Sequence, residues 1–261
     1  MTDWLALCRA AADDVRGVLL ELPRRSDREP VVGAGKGGDE TTAIDGAAER
    51  VILARFEGLD VTIVSEEAGV LGDGKTYVVV DPIDGSLNAK RGIGFFSLSI
   101  AVASGPTMDD VDFGFVHDFG TSDEWTATRG EGAQLNGESL DGQLPKDEIE
   151  ILSFEATRTA AVAEQAAAVV DLAYRLRIMG SLALSLCHLA AGRVDAVCSL
   201  KPARAVDIAA AQLLVRERGL AIDLFDAPPF GSAPLDLEGR SRVVAAGTPE
   251  LCRKLARALS A

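Results

Sequence analysis

Val78-Val79-Val80-Asp81-Pro82-Ile83-Asp84-Gly85-Ser86-Leu87-Asn88 is the stretch on which the rest of the reading turns. Three β-branched residues in a row read as a buried strand. That strand delivers Asp81 at its C-terminal end, Pro82 turns the chain, and Asp84 returns three residues later. Two carboxylates so placed can share a hard divalent ion with oxygen ligands, which is the preference of Mg²⁺. Gly85 lets the backbone come close to a ligand. A helix beginning at Ser86 would then aim its free N–H groups at an anion beside the ion. An ordinary Asp-Pro turn explains either aspartate alone. It does not explain the acidic pair together with Gly-Ser at a buried strand end.

Working outward, three further stretches carry carboxylates at element ends. Val61-Thr62-Ile63-Val64-Ser65-Glu66-Glu67 places an acidic pair after another strand. Arg204-Ala205-Val206-Asp207-Ile208-Ala209-Ala210 puts Asp207 at the start of an Ala-rich helix, and Asp39-Glu40-Thr41-Thr42-Ala43-Ile44-Asp45 follows a glycine-rich loop. Taken singly, each has a plain structural explanation. The first is a solvated acidic turn, and the others are helix caps. The loop before Asp39 holds Gly33, Gly35, Gly37 and Gly38 around a single Lys36, and reads as a mobile lid.

Hydrophobic periodicity organises the remainder. A helix is expected over 3–21 and another over 42–56. Strands follow at 61–64, 77–80, 95–103, 111–117, 124–128 and 151–154, separated by glycine or acidic turns. An Ala-rich helix is expected over 158–173. The second half then alternates: strand 175–178, helix 181–191, strand 194–200, helix 207–218, strands 220–224 and 242–245, helix 249–259. A strand-rich part followed by strand–helix alternation gives an α+β unit over 1–145 and an α/β unit over 146–261, joined into one catalytic body.

Composition narrows the function classes. The chain has 261 residues with 26 basic against 40 acidic, a net charge of −14. Nucleic-acid and anionic-membrane surfaces select for clustered Lys and Arg, so both are excluded as partners. Six Lys against twenty Arg, with abundant Asp and Glu, suit solubility at high salt. Hydrophobic residues make up 48%, enough for a large core, yet aromatics are only 5%, so that core is built from Ala, Val, Leu and Ile. Cys8, Cys187, Cys198 and Cys252 form no CxxC pair and no zinc spacing. The start, Met1-Thr2-Asp3-Trp4, lacks a basic region and no run reaches the ~20 apolar residues of a membrane span, so a cytoplasmic location is expected. There is no P-loop, and His117 and His188 stand isolated.

Together the four acidic stretches resemble the inositol monophosphatase family, whose wider group includes fructose-1,6-bisphosphatases and 3′(2′),5′-bisphosphate nucleotidases. The signature D-P-[IL]-D-G-[ST]-x-N is matched from Asp81 to Asn88, the upstream acidic motif by Ser65-Glu66-Glu67, and the late W-D-x-A-A motif by Val206-Asp207-Ile208-Ala209-Ala210. The resemblance runs from about residue 5 to 250. It implies a layered αβαβα sandwich, Mg²⁺ dependence, lithium sensitivity, a small phosphorylated substrate and a homodimer. Residue by residue, it implies that Glu66, Asp81 and the Ile83 carbonyl hold one Mg²⁺, and that Asp81, Asp84 and Asp207 hold a second. Ser86, paired with Asp45, would activate a water that Glu66 also contacts. The Gly85 and Ser86 amides would bind phosphate, Lys36 would close over the site, and Asp39 would serve a third, weaker ion.

Several positions depart from the family pattern. Val206 replaces the usual tryptophan, and Ser86 replaces threonine, keeping the hydroxyl but losing the methyl that fixes its rotamer. A glutamate that contacts inositol hydroxyls in animal members is missing near Ser199. Arg175, Arg177, Lys201 and Arg204 instead bring cations toward the substrate mouth, similar to archaeal members that act on both inositol phosphate and fructose 1,6-bisphosphate. A second phosphate needs such cations. The expected activity is therefore Mg²⁺-dependent hydrolysis of a sugar or polyol phosphate. A bisphosphate nucleotidase is the alternative within enzymes, and a non-catalytic metal- or phosphate-binding regulator is the alternative outside them.

Overall fold

Side chains of the apolar run before Asp81 alternate between two cores. Val78 and Val80 enter one, and Val79 enters the other. A strand buried on both faces needs a layer on each side, and the fold supplies both. The computed structural model describes residues 2–38, 40–141, 148–155, 158–226 and 229–260. The expected joint at 145/146 lies outside them.

The first half runs α1 (Trp4–Glu21), α2 (Arg25–Arg28), β1 (Val31–Ala34), β2 (Glu40–Thr42), α3 (Ala43–Ala54), β3 (Val61–Ser65), β4 (Gly69–Leu71), β5 (Thr76–Asp84) and α4 (Ser86–Arg91). It continues with β6 (Ser97–Ala103), β7 (Val111–Asp118), β8 (Glu124–Thr128), β9 (Gly132–Leu135) and β10 (Glu138–Ser139). The second half holds β11 (Ile149–Glu155), α5 (Thr159–Ala166), β12 (Ala173–Arg177), α6 (Leu182–Ala190), β13 (Ala196–Ser199), α7 (Ala205–Glu217), β14 (Ala221–Leu224), β15 (Val243–Ala246) and α8 (Pro249–Ala258).

One sheet has the order β10-β9-β8-β7-β6-β5-β3-β4, and the other β12-β11-β13-β15-β14. Helices α1 and α3 cover the outer face of the first sheet, through Cys8, Val15, Ile44 and Ile52. The α6 and α7 pair fills the space between the sheets, meeting Val79 and Val116 on one side and Val197 and Ala245 on the other. Helix α8 covers the far face of the second sheet through Leu251, Cys252 and Leu255. The layers are thus αβαβα, as expected.

Two features of this frame position the site. β3 and β5 are parallel, with Ser65 opposite Val80. Their C-terminal ends therefore emerge together, Glu66 beside Asp81. Next, the register of β5 against β6 slips, so that Asp81 faces Ser99 and Asp84 faces Ser97. Three steps on one strand oppose two on its partner, which is a bulge. Pro82 sits inside it, where no ladder donor is needed.

Two expected elements differ. The Ala-rich helix of 158–173 stops at Ala166, because Val169 turns into the outer core and the chain begins β12 at Ala173. The glycine-rich loop is a hairpin turn between antiparallel β1 and β2, and it is pinned to the site. The Lys36 and Gly37 amides donate to the Glu67 and Glu66 carbonyls at 3.1 and 2.8 Å.

The middle layer packs closest at Gly114 of β7, where an added Cβ would lie 2.5 Å from the Ala210 carbonyl oxygen of α7. Gly114→Ala should therefore cost about 2–3 kcal/mol, since neither backbone can give way cheaply. Urea unfolding measures this directly. A loss below about 0.5 kcal/mol, the range of neutral surface changes, would mean that α7 does not seat on β7 in this way.

Candidate active site

The C-terminal ends of β3, β5 and β11, with the N-termini of α3, α4 and α7, surround a cleft of about 310 Å³. Among the described residues, eight carboxylates line it, namely Glu40, Asp45, Glu66, Glu67, Asp81, Asp84, Glu155 and Asp207, against three cations, Lys90, Lys201 and Arg204.

Asp81 is the deepest of the acids, 2% exposed, with Oδ1 accepting the Ile83 N–H at 3.1 Å. Burial, then repulsion from Glu66, Asp84 and Asp207, pushes its carboxyl well above the ordinary range. Asp84 reaches the second half of the chain. Its Oδ2 accepts the Ser181 hydroxyl at 2.5 Å and the Ala183 amide at 2.7 Å, at the start of α6. Those donors favour its charge, yet burial dominates and lifts it to about 7. Glu66 is lifted to about 7 by the same cause, against the pull of Arg204.

Asp45 has two jobs at once. Its Oδ2 caps α3, accepting from the Thr42 hydroxyl and amide at 2.5 and 3.3 Å. Its Oδ1 is buried and has no hydrogen-bond partner among the described residues, in a side chain that lines the cleft. An orphaned carboxylate oxygen in so acidic a cleft is a donor atom waiting for a cation or a proton. The capping explanation accounts for one oxygen and leaves the other unexplained.

Glu49 supports the acidic turn from beneath. Its Oε1 accepts the Ser65 hydroxyl and the Glu67 and Ala68 amides at 2.5, 3.2 and 2.8 Å. Glu67 in turn accepts the Thr41 hydroxyl. Gly85 adopts φ +93°, and a Cβ there would lie 3.0 Å from the Gly180 carbonyl oxygen, so only glycine passes between β5 and α4.

The expected site residues divide cleanly by placement. Asp45, Glu66, Asp81, Ile83, Asp84, Gly85, Ser86, Lys201, Arg204 and Asp207 all line the cleft. Ser86 does not pair with Asp45: its hydroxyl donates to the Ile83 carbonyl at 2.9 Å. A serine, free of the γ-methyl, turns readily onto that carbonyl. Arg204 is buried against Glu66 and Asp207 instead of standing ready for substrate. Lys36 is outside the lining, its stem packed beside Gly69. Arg175 and Arg177 lie on exposed β12, the edge strand of the second sheet; Arg175 pairs with Glu150 at 3.3 Å and stacks over Tyr174. The cation cluster at the mouth is thereby reduced to Lys201, with Lys90 added from α4. Asp39 lies outside the described residues.

Glu155 escaped the sequence reading. It ends β11, 6% exposed, and accepts from the Ser153 and Ser185 hydroxyls at 2.9 and 2.8 Å and from the Gly180 amide at 2.8 Å. It thus fixes the turn whose Ser181 hydroxyl holds Asp84. The available signal was the same as at Glu66 and Asp81: a carboxylate at the end of an apolar strand.

Comparison with known proteins agrees with this fold. The chain matches the inositol monophosphatase family over residues 5–261. It is 34% identical over 247 residues to a fructose-1,6-bisphosphatase/inositol-1-monophosphatase of Archaeoglobus fulgidus, covering 94% of this chain and 93% of that one. Identity to the protein of the same description from Methanothermobacter thermautotrophicus is 33% over 271 residues, 98% of this chain and 96% of the other. A solved inositol monophosphatase–fructose 1,6-bisphosphatase superposes with a TM-score of 0.87 at 28% identity, over 98% of this chain and all of that one. Signature, layering and overall match converge: the chain belongs to the inositol monophosphatase family and is a phosphatase of that type.

Proposed function

We propose that this phosphatase is Mg²⁺-dependent and hydrolyses a small sugar or polyol phosphate, with fructose 1,6-bisphosphate and inositol 1-phosphate as substrates. The observation that carries the reading is the charge of the cleft. Eight carboxylates against three cations repel a phosphate ester unless divalent cations join them. The hard oxygen donors suit Mg²⁺, and the orphaned Asp45 Oδ1 and the crowded, raised carboxyls of Glu66, Asp81 and Asp84 mark where positive charge is wanted.

Glu66, Asp81 and the Ile83 carbonyl would hold one ion, and Asp81, Asp84 and Asp207 a second. When bound, Mg²⁺ supplies charge neutralisation for the phosphoryl group and acidity to the water and leaving oxygen. The chain's own groups do the positioning. Gly85 and Ser86 amides at the start of α4 bind phosphate oxygens, and Asp45 Oδ1 accepts a proton from the attacking water. Glu66 orients that water, and Lys201 and Lys90 at the mouth attract the anionic substrate. Positioning of this kind is the greater part of phosphoryl-transfer catalysis.

Sugar phosphates are favoured over nucleotides because, among the described residues, no aromatic ring lines the cleft to stack on adenine. The names of the archaeal relatives support the same pair of substrates. The reading includes a cytoplasmic homodimer. All four cysteines are free and buried, as suits a reducing compartment, and among the described residues no helix is long and apolar enough to cross a membrane.

The test is phosphate release from fructose 1,6-bisphosphate, inositol 1-phosphate and 3′-phosphoadenosine 5′-phosphate, with and without Mg²⁺, at low and molar KCl. Mg²⁺-dependent turnover of either sugar compound is expected, with the nucleotide at least ~100-fold slower for want of a stacking surface. Preference for the nucleotide would overturn the substrate assignment. Release from none of the three would favour a non-catalytic binding role.

A further inference from the structure

Arg204 is the N-cap of α7, three residues before Asp207, and only 6% of its side chain meets solvent. A guanidinium persists in such a place only where carboxylates offset the loss of water. Two do so. Nη2 stands 2.5 Å from Glu66 Oε1 and 3.2 Å from Asp207 Oδ1. These acids come from opposite halves of the chain, Glu66 after β3 and Asp207 in the first turn of α7. The seat is completed from a third side, where Nη1 donates to the Gly37 carbonyl at 3.4 Å. Gly37 is a close fit: a Cβ on it would meet Nη1, as well as the Glu66 backbone oxygen at 3.2 Å. Arg240 holds the same carbonyl from its other side.

The two acids bridged by this guanidinium are claimed by two different ions in the metal-dependent reading. A carboxylate oxygen engaged in a short charge-assisted hydrogen bond has less lone-pair capacity and less negative charge to offer a cation. Among the described residues, no three His, Cys, Asp or Glu side chains converge closely enough to hold an ion as they stand.

We propose that Arg204 is a resident counter-cation, competing with divalent metal for Glu66 and Asp207, so that loading the site requires displacing it. The proposal rests on the metal-dependent reading of the cleft. It gives the arginine a role distinct from binding substrate. Without metal, Arg204 neutralises the acids that would otherwise repel one another. With metal present, it lowers affinity, both by occupying their oxygens and by placing a like charge beside the ion.

Mn²⁺ binding, followed by the loss of its free-ion electron spin resonance signal, tests this without reference to turnover. Arg204→Gln should bind Mn²⁺ about tenfold or more tighter than the parent, the scale on which groups contacting metal ligands act. Its metal-free form should melt lower. Gly37→Ala, whose methyl crowds Nη1 without removing the charge, should shift affinity in the same direction by less. That variant decides the matter should Arg204→Gln fail to fold. Unchanged or weaker Mn²⁺ binding in both variants would overturn the proposal, and would make Arg204 a clamp that orients the acids. Failure of the parent and both variants to bind Mn²⁺ would overturn the metal-dependent reading, and the competition with it.

Discussion

Asp81→Asn removes phosphate release almost entirely, by about 10³-fold or more, and leaves the metal-free protein no less stable to heat than the parent. The first half follows from geometry. Asp81 stands between Glu66 and Asp84, and in the proposed ligand set it alone serves both ions. Losing it withdraws charge stabilisation from the attacking and the leaving oxygen together, and 10³-fold corresponds to ~4 kcal/mol of barrier. The second half follows from burial. The Asp81 carboxyl is 2% exposed and has its charge opposed by desolvation and by three neighbouring acids. Asparagine has the shape of the protonated acid, and its oxygen still accepts the Ile83 N–H. Relief of crowding should therefore offset anything lost. Steady-state phosphate release and thermal unfolding without divalent ions read the two halves separately. Turnover within tenfold of the parent would remove Asp81 from the chemistry. A large fall in the metal-free melting temperature would show that its carboxylate holds the fold together instead.

The candidate site residues were legible because they sit at the ends of strongly patterned elements. An apolar run, a carboxylate, then a turn is a local signal, and it singled out Asp81 and Asp84 without any knowledge of how the strands pair. Glu66 and Asp207, each with a plain structural explanation when taken alone, gained weight only from the family resemblance of the four stretches together. The pattern alone gave an α+β part followed by an α/β part, and the αβαβα layering came from the family resemblance. The structure accounts for it, since β5 is apolar on both faces and both need cover. What could not be read were relations across the chain. Arg175 and Arg177 are two residues apart on a strand, and sequence cannot say that β12 is an edge facing water. Arg204 is three residues from Asp207, but its pairing with Glu66 spans 138 positions. The glycine-rich segment lacks side chains to pack, so its pattern signals mobility. Its order comes from backbone hydrogen bonds to the Glu66–Glu67 turn, which no side-chain pattern records. Glu155 shows the reverse case, where the local signal was present and the expected strand simply ended one residue too soon.

Stability of the metal-free protein should fall as pH rises from about 4 to 8, and Mg²⁺ should cancel that fall. Glu66 and Asp84 ordinarily titrate at 4.5 and 3.8, and in the folded chain both are pushed up to about 7 by burial. Between those values the folded chain holds protons that the unfolded chain has released. The protonated folded state is thus favoured at low pH, and its advantage is lost as pH climbs through 7. One such group, Asp84, raised from 3.8 to about 7, is worth on the order of 4 kcal/mol. The two groups share one cluster, so their effects are not simply summed. Exposed ion pairs elsewhere oppose this trend weakly, since carboxylates such as Asp226, held low by Arg242, gain from higher pH. The difference between samples with and without Mg²⁺ removes that background. Divalent ions bind the deprotonated cluster, so Mg²⁺ uptake releases protons and the added stability grows with pH. At ~100 times its dissociation constant, Mg²⁺ contributes about 2.7 kcal/mol, or roughly 5–10 °C in melting temperature for a chain of this size. Melting curves at pH 5, 6, 7 and 8, with and without Mg²⁺, would show the gap widening at each step. A gap that stays constant across that range would mean the acids of the cleft are already ionised when the metal arrives. Burial would then not be what sets their charge.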